Sequence, residues 1–424
     1  MKLRDLVHRI HQREVSVLSR TLIRVGLALL FVAAFGATSY GKTLIVGQPG
    51  TPCPNAQYTT ITDAVNAASP GDVVAICPAL YAEQLVISKP LTLRGLTVNG
   101  VGRVLLQPSL VPNFGGLSFE AVIAVTNTHD VTIENLAIDA SNNTVVGCAG
   151  PALAGIHYYN SSGKAENNAI SGAEVADPQT CGLLPASGFG VQVDVDQAGS
   201  FCVEIKHNSI HDYTRDGVFV MGSGVMVRIE DNSISGVGPS GGTFQFGVFV
   251  LNGAVGQINH NVITEGLCGT LSLTDCINTR SEGITLRLVG DGTEVSNNVI
   301  TDAQSGIFVN GVNRIQITNN LISNIVGFDG IDLQGTSNSL IDSNTIFNTV
   351  PVADLSCGVY ESPGAGTAGG TEENNQISHT TVNDAYCGVA HVASTQVWSG
   401  KYANTLYTEL ASDSASFPPP PVEP

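Results

Sequence analysis

Basic residues are scarce in this chain. Its 424 residues include 18 lysines and arginines against 36 acids. Six of the 18 (Lys2, Arg4, Arg9, Arg13, Arg20 and Arg24) lie near the start, accompanied only by Asp5 and Glu14. The rest of the chain therefore carries 12 basic and 34 acidic residues. That balance argues against a nucleic-acid partner, because phosphate binding needs a basic surface. Methionine is also scarce, three in all with Met1 included, and the histidines are dispersed, which speaks against a metal-handling role. No Cys-x-x-Cys pair occurs, so the usual thiol signature of a zinc or redox site is missing. Long hydrophobic runs are missing too, with one exception. Val25–Ala37 is about 13 residues, short for a bilayer span. It follows the basic start and ends in Ala37-Thr38-Ser39-Tyr40-Gly41. Residues 1–41 thus read as a signal peptide with a long basic leader, with an uncleaved N-terminal anchor as the alternative. Export to the periplasm, the cell surface or the medium is expected, with no membrane span in the mature form.

Against these absences stands a repeat. The phrase Asn-x-Ile recurs from Asn168, Asn208, Asn232, Asn261, Asn298, Asn320, Asn344 and Asn375, with a looser copy at Asn135-Leu136-Ala137-Ile138. It alternates with Gly-Ile/Val-x-hydrophobic, beginning at Gly155, Gly190, Gly217, Gly247, Gly283, Gly306, Gly330, Gly358 and Gly388. Asn298 to Asn320 is 22 residues, and Asn320 to Asn344 is 24. A fixed period in this range signals a solenoid. Within each phrase the apolar residues stand two apart, the period of a strand. No useful amphipathic helix fits inside such a repeat, and the leucine-rich pattern is absent. The expected fold is all-β, a right-handed parallel β-helix whose coils stack on a shared core. The asparagines fall at turns, where their side chains bond the backbone and tolerate unusual dihedrals.

The lead-in explains how such a core is closed. Ile61, Ala64, Val65 and Ala68 share one helical face, and Pro70-Gly71 makes a turn before a strand at Val73–Ile76. A solenoid needs a cap over its open end, and this short helix supplies one. The phrases Pro70-Gly71-Asp72 and Pro78-Ala79-Leu80-Tyr81-Ala82-Glu83 resemble the opening of pectin methylesterases and of periplasmic β-helix proteins, with Ala79 where glycine is expected. Over roughly residues 58–400 the chain resembles the pectin-lyase-like β-helix superfamily. The catalytic motifs of that superfamily's polygalacturonases, pectin methylesterases, pectate lyases and alginate epimerases are all missing, so the resemblance implies a fold and names no reaction. The expected layout is 42–120 for the cap and first coils, 121–400 for the repeats and 401–424 for a Pro-rich tail.

Nine cysteines, all beyond the leader, agree with export. Cys53 and Cys77 flank the first helix and strand. Cys268 and Cys276 bracket one insertion. Cys357 and Cys387 each precede a repeat glycine, so coil stacking of about 4.8 Å brings them within disulfide reach. Cys148 and Cys181 fall in successive insertions and form a fourth candidate pair, leaving Cys202 over.

The spacing also locates a working face. From each glycine to the next asparagine the distance is 13 to 18 residues. From each asparagine to the next glycine it ranges from 8 to 22. Insertions therefore enter at one corner, and loops stacked there rim a surface. In the glycine strand, positions one and three past glycine point inward, and positions two and four point outward. Two past glycine stand His157, Gln192, Phe219, Phe249, Thr285, Phe308, Asp332 and Tyr360. Four past stand Tyr159, Asp194, Met221, Leu251, Arg287, Asn310 and Gln334. The residue before glycine contributes Asp216, Glu282 and Asp329. Sugar rings pack on aromatic faces, and carboxylates bond hydroxyls or move protons. The face therefore reads as a glycan groove, with Phe219, Phe249, Phe308, Asp216, Asp194 and Tyr360 as binding residues. Glu282, Asp329, Asp332 and Arg287 are the catalytic candidates of a glycoside hydrolase or lyase. Counting two coils puts Glu282 about 10 Å from Asp332, the long limit for an inverting pair. No cofactor is expected, except that a polyuronate substrate would call for bridging Ca2+. The rivals are a non-catalytic surface or adhesion module and, more weakly, a periplasmic metal-accessory protein. A monomer is expected.

Overall fold

The computed structural model describes residues 41–51, 53, 55–97, 103–110, 118–145, 152–176, 187–237, 244–264, 281–350, 357–362, 375–385, 387–391, 401–403 and 406–409. These form three parallel sheets and one helix. The first sheet has 13 strands, from Thr43–Val46 to Lys401–Ala403. The second, here the glycine sheet, has 11, from Leu85–Ile87 to Cys387–His391. The third, here the asparagine sheet, has 12, from Leu80–Tyr81 to Leu406–Glu409. Strand neighbours within each sheet are one coil apart, as in a solenoid that visits the three sheets in turn. The strands at 401–403 and 406–409 carry the coil pattern past residue 400. The expected signal peptide at 1–41 lies, but for Gly41, outside the described residues, as does 410–424. Among the described residues no helix is long and apolar enough to cross a membrane.

Helix α1, Ile61–Ala67, starts where Thr60 accepts a bond from the Asp63 backbone N–H at 3.2 Å. The Glu83 carboxylate accepts from the Ile61 and Thr62 N–H groups, both at 2.8 Å. That negative charge sits at the helix N-terminus, where the macrodipole favours it. Tyr81, two residues before, is buried and donates to the Cys77 carbonyl at 2.9 Å. Asp72 holds the turn by accepting from Ser69 N–H at 2.7 Å, and Gly71 takes φ +87°. The conspicuous phrase around Tyr81 and Glu83 is thus the fastening of the cap. The helix face Ile61, Ala64, Val65 joins the same apolar core as the coils.

The repeated asparagines form a buried ladder. Asn320 illustrates it. Its backbone N–H and its Nδ2 both donate to Asn344 Oδ1 at 3.0 Å, and Nδ2 also donates to Val295 carbonyl at 3.0 Å. Asn298 repeats the pattern onto Asn320 Oδ1. Each amide is satisfied within a stack that water does not reach. The left-handed backbone falls one residue earlier than expected: Asn167, His207, Asp231, His260, Asn297, Asn319 and Ser343 have φ of 55° to 58°. Asn135 belongs with them at φ 59°, and Leu136 occupies its coil's ladder position.

The repeated glycines answer a steric demand. A Cβ on Gly306 would lie 2.3 Å from the Gly330 carbonyl oxygen and 2.6 Å from Ile322 Cγ2. Equivalent collisions await Gly155, Gly190, Gly217, Gly283, Gly330 and Gly358. The backbone bends here, so the residue before glycine and the one two past it both face outward, while Ile307 and Val309 and their equivalents fill the core.

The outer faces differ in chemistry. On the first sheet Lys164 pairs with Glu204 at 3.2 Å and Lys206 with Glu230 at 2.9 Å across coils, and Lys206 also meets Glu204 on its own strand. On the asparagine sheet the leading outward row runs in register from Leu80, Leu105, Ala137, Ala169, Ser209 and Ser233 to Val262, Val299, Leu321, Thr345 and Thr381.

Cys53 and Cys77 are bonded, with Cα atoms 6.0 Å apart. Cys357 is disulfide-bonded, and its register partner is Cys387. Cys202 is free and exposed. The expected pairs Cys148–Cys181 and Cys268–Cys276 lie outside the described residues.

Candidate functional site

The glycine sheet sets the three outward rows in the expected register. Gln192, Phe219, Phe249, Thr285, Phe308, Asp332 and Tyr360 are successive neighbours two past glycine. Asp194, Met221, Leu251, Arg287, Asn310 and Gln334 are successive neighbours four past it.

Burial separates these rows. Phe219, Phe249 and Phe308 are 6%, 3% and 1% exposed, so they do not stand open as a sugar platform. Phe219 and Phe249 join Phe189, Phe244 and Phe246 in a second apolar cluster outside the solenoid core. The physical reason is their size and spacing: Phe219 and Phe249 meet edge-on at 5.8 Å, Phe189 and Phe246 tilt against them at 5.1 Å, and the rings exclude water from one another. Asp332, Tyr360, Asp216, Glu282 and Asp329 are buried as well. Solvent reaches this face along the row four past glycine, where Tyr159, Asp194, Met221, Leu251, Arg287 and Asn310 are partly exposed.

The acids divide by what they touch. The Asp329 carboxylate accepts the Cys357 backbone N–H at 2.6 Å, which gives it a role in holding the chain. Glu282 takes the Thr285 hydroxyl bond. Asp332 accepts from Gln334 Nε2 at 3.2 Å. Glu282 and Asp332 are offset along the strand as well as by coil. Glu282 lies opposite Ser305, whereas Asp332 lies opposite Phe308. Three residues along the strand add to two coils, and their Cα atoms are about 14 Å apart, farther than the two coils alone. Asp216 and Glu282 do share a row, two coils apart, with the Phe246 ring between them.

Asp216 is fully buried, and neither of its oxygens has a hydrogen-bond partner. Arg215 Nε stands 3.6 Å from one of them, its guanidinium lying over the Phe189 and Phe219 rings at 5.6 and 5.5 Å. Burial pushes the Asp216 carboxyl up to about 7, against the opposing pull of Arg215. Arg287 repeats the motif, lying over Phe249 and Phe308 at 5.9 and 5.4 Å. Arg215 was not singled out from sequence, because a residue before Asp-Gly reads as a turn.

At the open row, His157 Nε2 lies 3.0 Å from Asp194 Oδ2, and Gln192 Nε2 donates to the same oxygen at 2.5 Å. His157 is 2% exposed, packs edge-on against Phe119 at 4.0 Å, and its Nδ1 has no partner. Beside it the Tyr159 hydroxyl donates to Asp196 at 2.6 Å, which together with Asn160 holds the Asp196 carboxyl below its ordinary range. The sequence shows His157 as a lone histidine. Its pairing with Asp194 is a diagonal between neighbouring coils that only the register reveals. Among the described residues no group of three or more His, Cys, Asp or Glu is arranged to hold a metal ion.

The architecture is a right-handed parallel β-helix. Residues 268–400 match the family described as a right handed beta helix region. Among solved structures, the chain is similar to the Azotobacter vinelandii mannuronan C-5 epimerase AlgE4 A-module, with TM-score 0.53 and 14% identity over 83% of this chain and 92% of the other. It is likewise similar to the Dettilon tailspike protein, with TM-score 0.53 and 16% identity over 85% of this chain and 68% of the other. No curated protein matches by sequence.

Proposed function

We propose that this chain is an extracellular polysaccharide-binding β-helix that lays its glycan along the open row of the glycine sheet. The observation that carries the reading is the selective opening of that row. The rows beneath are sealed, while this one sets apolar Met221 and Leu251 between polar Tyr159 and Asp194 on one side and Arg287 and Asn310 on the other. Methyl and thioether groups suit the C–H faces of sugars, and the polar groups suit their hydroxyls. Arg287 is steadied by the two rings below it and so loses little freedom on binding. A mannuronan epimerase of similar fold supports a carbohydrate ligand. Export is supported by the Cys53–Cys77 bond, since such bonds persist in oxidising compartments.

A second reading, processing of the bound chain, is favoured by one specific arrangement. The Asp194 carboxylate reaches the open row and is held from below by His157 and Gln192, which is how a carboxylate is positioned to act on a bound chain. A glycan array followed by product analysis tests both readings. Arg287→Ala should weaken binding at least tenfold. Asp194→Asn should keep binding and remove any product the parent protein forms. Unchanged binding by Arg287→Ala on an identified glycan would place the binding surface elsewhere. No product from the parent protein on any bound glycan would leave the non-catalytic surface module as the function.

A further inference from the structure

The asparagine sheet carries a second, independent surface. Its leading outward row crosses eleven coils from Leu80 to Thr381 without one charged residue, in a chain of net charge −18. The residues between these positions, such as Ile263, Ile300 and Ile322, are fully buried, so the row itself faces out, with Ala137 alone among its eleven residues covered. In the parallel row two residues on, Asp139 and His211 are the only titratable groups, and Thr264, Thr301 and Ser323 follow one another in register. Four of the eight large hydrophobic side chains exposed among the described residues lie here: Leu80 at 52%, Val262 at 47%, Leu321 at 37% and Phe347 at 37%. The first sheet, built on the same coils, is laced instead with lysine–glutamate pairs.

Three features say what fits this face. It is long and narrow: ten coil steps span about 48 Å, and two rows cover roughly 500 Å². A stable protein interface needs about 800 Å² from each partner, so a second copy of the chain gains too little here. A polymer lying along the solenoid axis meets the whole length. On three successive coils the face sets an apolar side chain beside a hydroxyl, Val262 with Thr264, Val299 with Thr301 and Leu321 with Ser323, which match the C–H and O–H edges of a sugar chain. At its side lies a cavity of about 470 Å³ lined by Asp139, Ser141, Asn143, Ser171, Glu174 and Asp212. These groups accept bonds from sugar hydroxyls, and their three carboxyl groups repel an anionic chain.

We infer that the asparagine sheet is a binding plane for a neutral, flat polysaccharide, lying along the row from Leu80 to Thr381 and gripped at one point by the adjoining polar cavity. The plane holds the protein on its polymer while the glycine sheet remains free.

Depletion from solution by microcrystalline cellulose and by chitin tests it, with polygalacturonate beads as the anionic comparison. The full chain should be removed by at least one neutral polymer and not by polygalacturonate. The doubly substituted Val262→Lys, Leu321→Lys chain should bind at least tenfold more weakly, with an unchanged circular-dichroism melting curve. Thr264→Lys provides the same test should the double variant fold poorly. Met226→Lys, at an exposed apolar residue on the first sheet, should bind as the parent does, which ties any loss in the other variants to this plane and not to the added charge. Three results would overturn the inference: no depletion by either neutral polymer, equal binding by the lysine variants, or a parent dimer in light scattering that those variants convert to monomer.

Discussion

Asp216→Asn should make the protein more stable above neutrality and leave it nearly unchanged in mild acid. The carboxyl is fully buried, makes no hydrogen bond, and is pushed from 3.8 up to about 7 by burial. A folded-state pKa above the unfolded value means the native state holds the proton more tightly. Between pH 4 and 7 the folded chain therefore binds more protons than the unfolded one, and stability falls as pH rises through that window. Three pKa units at about 1.4 kcal/mol each give a loss of about 4 kcal/mol, complete by pH 8. Asparagine keeps the shape and cannot ionise, so the variant lacks this slope. Arg215 is 14% exposed, so water partly replaces its lost partner in the variant. Urea titrations followed by far-ultraviolet circular dichroism at pH 4, 6 and 8 measure the effect as the difference between the two proteins, in which all other titrating groups cancel. The variant should gain roughly 2–4 kcal/mol over the parent between pH 4 and pH 8. Parallel pH profiles for the two proteins would refute the reasoning and show that Asp216 ionises freely.

Three further outcomes follow from the fold. Asn320→Ala leaves the Asn298 donors and the Val295 carbonyl unpaired inside the ladder. At about 1–3 kcal/mol for each buried group so stranded, it should lower the urea midpoint more than any surface substitution. Gly306→Ala places a Cβ against a carbonyl oxygen and Ile322. Overpacking of this kind should cost about 1–3 kcal/mol, and hydrogen exchange should show the loosening centred on the strands beside Ser305–Asn310. Cys53→Ser with Cys77→Ser opens a loop of sequence separation 24. Loop entropy predicts a loss of about 3 kcal/mol, visible as a lower melting temperature of the oxidised parent's double variant, and a null result would mean the cap is held by Glu83 and Tyr81 alone.

Two periodicities made the solenoid legible in the primary structure. A β-helix repeats one local environment on every coil, so Ile300, Ile322 and Ile346 each report the same inward slot and the pattern averages out noise. The same logic ordered the outward rows and matched Cys357 with Cys387, because register in a parallel stack follows from counting within each coil. Burial of the outward residues did not follow from counting. Whether Phe249 floors a groove or joins a cluster depends on what else lies against that face, and its 3% exposure is a property of the assembled chain. The offset of Glu282 from Asp332, the meeting of His157 with Asp194 across coils, and the protonatable state of Asp216 are likewise tertiary. Each depends on distance along a strand, on a diagonal between coils, or on exclusion of water, and none of these quantities is local in sequence. The charge-free row on the asparagine sheet lies between the two cases. Its residues are plain in the repeat, but their joint exposure as one plane arises only when the eleven coils stack.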